Sequence, residues 1–487
     1  MTTDAPARPA AARPSPSPSP AVIAVAIGAV AAGAVAVWQP LAGLALAVVL
    51  LIATLIRNVP VARLAPVLVV LTAAAAIAGP NLAAPPAPWL FLFRVLIVLL
   101  GLGLVGYLLM DGRLTLPAAL PRPAGLLAVW LGWTALSIGW ADDSIAALRW
   151  TLFMAMMGGL AIAVALLCRS RRRAVILLWT LFGVFVLACL IAVVEVVTGL
   201  HLPTFRQGRE GTTGLIGVGS LFGNQNNFAT FLSLSLPYLA ALPIVFRDVR
   251  LRIVGFAGGA VALLFILATG SKSGLVAAAL VILGLLVLVG SDRRARGRLL
   301  VAGAVAALAV LLVVPALVGS GPVSLDERTA TKLDFGLLAE QLDSQQGSGG
   351  VRSSLLSDGL GLVAETDGLG VGAGNAETEV RSLANFPGVA NLHNWWLEVL
   401  VNGGIVGFAL YLLFYLTLLR GQVHAARRSG DPLVRYMALA GALALIGWIV
   451  GSIGPSTAIH FAPMWIMFGL GMGALVLWRQ AGERAAA

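Results

Sequence analysis

RSRRRAVILLWTLFGVFVLACLIAVVEVV, residues 169–197, opens with a cluster of arginines and runs on through apolar side chains to a single carboxylate, Glu195. At a rise of about 1.5 Å per residue, some 20 apolar residues span a hydrocarbon core roughly 30 Å thick. Residues 174–197 meet that length without a charge before Glu195. A membrane β-strand would be about 10 residues of alternating polarity, a pattern this stretch lacks. The segment therefore reads as a transmembrane helix whose basic end stays at the membrane surface.

The same unit recurs on both sides. Apolar runs fall at 21–38, 41–56, 64–79, 89–110, 124–140, 148–168, 174–197, 225–246, 253–269, 273–290, 299–319, 395–419, 433–452 and 457–478. The 487 residues are 59% hydrophobic and 11% charged, far from soluble usage. The expected fold is an all-α polytopic membrane protein of about 14 (12–14) helices. Residues 1–20 form a Pro/Ser-rich tail, 21–319 an N-terminal block of spans, 320–394 one long loop, 395–478 the last spans, and 479–487 a short tail. The run after the tail, 21–37, is longer than a signal-peptide core and no clear cleavage site precedes Trp38, so it is expected to be a retained span.

Charge tests the span count. Alternate loops carry Arg57 and Arg63; Arg113 and Arg122; RSRRR (169–173); RDVRLR (247–252); SDRRARGR (291–298); Arg420, Arg427, Arg428 and Arg435; then Arg479 and Arg484. With the N-terminal tail, this set holds 23 of the 32 Lys and Arg. By the positive-inside rule both termini are cytoplasmic and the long loop lies outside. The net charge of +11 is thus explained by orientation, and nucleic-acid binding is excluded. Cys168 and Cys189 lie in apolar segments and imply no disulfide framework.

On the outer side, titratable and polar groups concentrate in a few places. VANLHNWWLEVLVNGG (389–404) sets His393 and Asn394 beside two tryptophans at the start of a span. Imidazole titrates near working pH and accepts a proton from a hydroxyl, although an interfacial polar residue is the plainer reading; His201 and His460 share the outer side. The long loop holds ten acidic residues against four basic ones over 320–392, so Arg352, ahead of the Gly-rich GLGVGAG, follows no basic bias. A guanidinium beside a flexible turn can grip a phosphate; pairing with Asp358 or Glu365 is the alternative. Lys272 sits in the short turn TGSKSG, either snorkelling to the interface or meeting an anionic headgroup. Asn224, Asn226 and Asn227 of GNQNNFA cap a helix or line a sugar cavity. Glu195 is an intramembrane carboxylate, a functional group or an arginine's partner. Neither a metal-ligand cluster nor a P-loop occurs in the sequence.

The ordered set GNQNNFA…P, TGSKSG, R…GLGVGAGN and HNWWLEVLVNGGIVG resembles the O-antigen ligase and polymerase superfamily of bacterial surface-polysaccharide glycosyltransferases. The resemblance implies an undecaprenyl-diphosphate-linked glycan donor and a glycan or glycolipid acceptor. They would be joined without cofactor or metal at the outer face of the cytoplasmic membrane. It implies further that His393 assists the acceptor hydroxyl and that Arg352 engages the departing diphosphate. Lys272 stands where the family commonly has arginine, which keeps the charge and loses the fork. Asn394 and Trp395 join the expected sugar-binding residues. The rival reading, a lipid-linked glycan flippase or polysaccharide transporter, calls for internal repeats and midplane charges; neither is evident.

Overall fold

The computed structural model describes residues 61–84, 87–111, 120–204, 218–289, 297, 347–383, 392–455 and 458–486. The expected spans 21–38, 41–56 and 299–319, residues 320–346 and 384–391 of the long loop and the N-terminal tail lie outside them. The chain divides into two units, one of residues 1–65 and 101–112, the other of 66–100 and 113–487. In the first, the described residues are helical at 61–65 and 101–111. All side-chain geometry below belongs to the second.

Every expected span that falls on described residues is helical. In chain order the helices are α1 (Val61–Ala78), α2 (Leu92–Asp111), α3 (Arg122–Leu136), α4 (Ser144–Leu167), α5 (Arg171–Thr198), α6 (Gln225–Val245), α7 (Val249–Thr269) and α8 (Lys272–Val289). They continue as α9 (Gly347–Glu365), α10 (Ala376–Leu383), α11 (Trp395–Arg428), α12 (Pro432–Gly451) and α13 (Ala462–Ala486). Among the described residues, ten helices are long and apolar enough to cross a membrane. One expectation shifts: residues 89–91 of the run 89–110 belong to a short strand, Ala87–Phe91, that pairs antiparallel with Ala83–Ala84. The prolines of GPNLAAPPAP explain this, because they withhold helix donors and push their neighbours to extended backbone.

Local chemistry sets the helix ends. Asp143, Asn224, Asp248, Asn394 and Asp431 each accept backbone N–H groups of the first turn that follows. Between helices, small residues allow close approach. A Cβ at Gly469 would stand 2.7 Å from the Ala161 carbonyl, and one at Gly255 2.7 Å from that of Leu239, binding α13 to α4 and α7 to α6. An aromatic cluster fills the centre: Trp130 lies 4.8 Å from Tyr411 and 6.3 Å from Trp465, centroid to centroid.

The helices have two chemically distinct ends. At the basic end Arg171 pairs with Asp431, the Arg479 guanidinium donates to the Leu120 carbonyl at 3.1 Å, and Arg252 donates to that of Phe246 at 3.1 Å. The opposite end gathers the Gly-rich turn, the approach to α11, the α7–α8 turn and the α12–α13 loop.

Candidate active site

The approach to α11 is held from both sides. Leu392 is buried with Leu355 and Leu362 of α9, Ala376 and Val380 of α10, and Leu397 and Val401 of α11. Two residues on, the Asn394 side chain accepts from the Trp396 N–H at 3.1 Å. His393, between these anchors, adopts φ +48°, a left-handed backbone that a non-glycine residue keeps only where its surroundings impose it. The imidazole is thus fixed at the mouth of the span.

Arg352 arrives on α9. That helix docks on α11 where Gly359 faces Leu397 and Val401; a Cβ there would stand 3.1 to 3.2 Å from their side chains. Arg352 lies seven residues earlier, two turns along the same face. Although some 40 residues separate them in sequence, its positive charge acts on His393. Burial, and then that guanidinium, push the His393 pKa down to about 4, so the ring is neutral at pH 7. Burial also holds Arg352 below its ordinary value, while arginine remains charged in any protein. Among the described residues the ion pairs are Arg171–Asp431 and His201–Glu195, so Arg352 is not bound to Asp358 or Glu365.

Lys272 opens α8 after Gly270, whose φ of +63° turns the chain. The turn packs on the loop after α12: a Cβ at Gly454 would lie 2.8 Å from the Ser273 and Thr230 hydroxyls. Thr230 donates to the carbonyl of Asn226 at 2.9 Å and to that of Gly451 at 3.3 Å. The Ser452 carbonyl in turn accepts from the Trp395 N–H at 3.3 Å. Through residues 451–454, the lysine turn, the amide cluster and the histidine's helix share one platform.

Of the expected sugar contacts, Asn224 caps α6, accepting from the Asn226 N–H at 2.8 Å. Asn226, Asn227 and Asn394 are half-buried at the same end. Trp395 departs from expectation. Its side chain is fully enclosed, edge-on to Trp130, Tyr411 and Trp465. The i, i+4 geometry of α11 turns it into the core, so it packs the helices and has no face left for a sugar. Trp396 also points back, donating to the Ile449 carbonyl at 2.9 Å.

The Gly-rich turn also corrects the expectation. Its backbone is bonded to the helices: the Val371 N–H donates to the Val401 carbonyl at 2.9 Å, Ile405 N–H to Gly368 at 2.8 Å, and Ala373 N–H to the Ser137 hydroxyl at 3.0 Å. A Cβ at Gly370 would strike Gly404, and Gly404 itself has φ +66° and breaks α11. The glycines serve close backbone packing that positions α9 and α11, so the turn expected to be flexible beside Arg352 is instead packed against the helices.

Several groups escaped the sequence reading. Glu377, on α10, has a pKa raised by burial against the opposing pull of Arg381, and lies close enough to Glu398 for their charges to interact. The approach of α10 is fixed by Asn402, which accepts from the Ala376 N–H at 3.1 Å. Glu195, read as a functional group or an arginine's partner, accepts the Gly219 and Ser220 N–H groups at 3.0 and 2.8 Å and faces His201 at 3.2 Å. A second imidazole–guanidinium couple joins His460 to Arg94, with burial and then Arg94 pushing His460 down to about 4. Sequence spacing does not signal the Glu377–Glu398 and Arg94–His460 encounters, because the partners stand on different elements, whereas His201 follows Glu195 by six residues. Among the described residues, no group of three or more His, Cys, Asp or Glu side chains is arranged to hold a metal ion.

The model of the O-antigen ligase family matches residues 257–412, a range that contains Lys272, Arg352 and His393 and excludes Arg94 and His460. The teichuronic acid biosynthesis protein TuaE of Bacillus subtilis is 25% identical over 364 residues, covering 73% of this chain and 72% of its own length. With the ordered motifs and the His393–Arg352 couple inside that range or framing it, the chain is similar to the O-antigen ligase superfamily.

Proposed function

We propose that this membrane protein transfers or polymerises a glycan from an undecaprenyl-diphosphate carrier onto an acceptor sugar hydroxyl, on the outer face of the cytoplasmic membrane. The reading places both termini in the cytoplasm. What carries it is the coupling of His393 with Arg352 at the end of the helices away from the arginine-rich loops.

In this mechanism the neutral imidazole accepts the acceptor's hydroxyl proton while that oxygen attacks the anomeric carbon. The bond from that carbon to the diphosphate oxygen breaks, and its electron pair leaves with the diphosphate. Attack from the opposite face inverts the configuration. Arg352 stabilises the charge that develops on the leaving group, more in the transition state than before it, with Lys272 a second cation on the same platform. The donor also tunes the base. A dianionic group at Arg352 offsets the cation that depresses His393, so the imidazole gains basicity when substrate is bound. Asn224, Asn226, Asn227 and Asn394 supply amides for sugar hydroxyls.

The test is turnover by purified protein given an undecaprenyl-diphosphate glycan, followed as release of undecaprenyl diphosphate together with new glycosidic linkage. Both products should appear with wild type and vanish with His393→Ala and with Arg352→Ala. Movement of the intact lipid-linked glycan across a vesicle bilayer without linkage formation would replace this reading with a flippase.

A further inference from the structure

A half-open cavity of about 740 Å³ lies between α5, α6, α7, α12 and α13, away from the candidate active site. Its volume falls within the range of about 300–1,000 Å³ typical of ligand pockets. The walls are almost wholly apolar, and its charged lining residues are Arg171 and Arg172, at the basic end of α5. Arg171 is held by Asp431, whereas Arg172 is exposed and forms no ion pair among the described residues. Tyr238 on the wall keeps a buried hydroxyl with no hydrogen-bond partner in the protein. On its α5 wall, Ile176 and Trp179 are exposed, as expected where the cleft opens to lipid.

We infer that this cleft is a specific site for an anionic phospholipid, with an acyl chain in the apolar cavity and the phosphate at Arg172 beside Arg171. An apolar slot alone would take any lipid tail. The guanidiniums at its mouth select charge, since basic pockets between membrane helices hold anionic headgroups, and a guanidinium matches a phosphate in a two-pronged fork. The Tyr238 hydroxyl is a donor for the polar linkage between headgroup and chain. The site is independent of glycan transfer and stands if that reading fails.

The full chain would be reconstituted in nanodiscs of mixed phosphatidylglycerol and phosphatidylcholine, released into detergent, and its retained lipid weighed by native mass spectrometry. Wild type should retain phosphatidylglycerol in preference. Arg172→Gln, at an exposed position, should fold normally and lower that preference about fivefold, the factor for one cation at an anionic surface. Val254→Trp, which fills the cleft from α7, should lower retention of both lipids. Equal retention of the two headgroups by wild type, or an unchanged preference in Arg172→Gln, overturns the proposal. So does displacement of phosphatidylglycerol by a polyprenyl phosphate added in equal amount. If Val254→Trp does not fold, the Arg172→Gln comparison still decides.

Discussion

Two imidazole–guanidinium couples occupy the same end of the molecule and differ in how they are held. His460, in the loop after α12, has its ring 4.3 Å from that of Phe153, and its Arg94 is exposed. His393 is locked at φ +48° between a buried leucine and a helix cap, and its arginine arrives on a separate helix packed against α11. Burial and a nearby cation depress both histidines alike. Charge therefore does not distinguish them; rigidity does. A base that must meet a hydroxyl within hydrogen-bond reach gains from a fixed position, and the backbone strain at His393 marks where the fold enforces one.

The sharpest way to break this comparison is to remove each ring in turn. His393→Ala should lower kcat by about 10²- to 10⁴-fold, the usual contribution of a general base, whereas His460→Ala should change it by less than about threefold. Equal losses in the two variants would put catalysis in both couples or in neither. Arg352→Lys keeps the charge and discards the fork; a fall in kcat/KM of about tenfold to a hundredfold is expected, the worth of a hydrogen bond to a charged group. A smaller loss on Lys272→Ala than on Arg352→Lys would identify Arg352 as the main phosphate contact.

Stability offers a finer contrast. Glu195→Ala strands the Gly219 and Ser220 N–H groups in a buried site, at a cost of about 1–3 kcal/mol for each. It should lower the thermal midpoint in detergent by several degrees. The pH dependence works through the histidines. Each is protonated near pH 6.5 in the unfolded chain and only near about 4 in the fold. Between those values the unfolded state binds more protons, so stability falls as pH drops through the window. His393→Gln and His460→Gln should each flatten the fall in thermal midpoint between pH 7 and 5. The couples are then alike in stability and unlike in turnover.

Much of this protein was legible in its sequence. The span of α5 followed from a 24-residue apolar run after RSRRR, since the hydrocarbon core sets a length that composition must meet. The caps at Asn224 and Asn394 were written as short polar side chains directly before helices, whereas His393 shared the outer side with His201 and His460 and was not singled out by place. Tertiary structure decided the rest. Whether Trp395 faced a sugar or the core depended on Trp130, Tyr411 and Trp465, on three other turns of helix. Whether the glycines of GLGVGAG formed a flexible turn or a packed one depended on Gly404 and Ser137 lying against them. Local sequence determines where a helix starts and which end is basic, because those terms act within a few residues. Which side chains meet depends on how helices pack, and the Arg94 that acts on His460 lies within reach of no local rule.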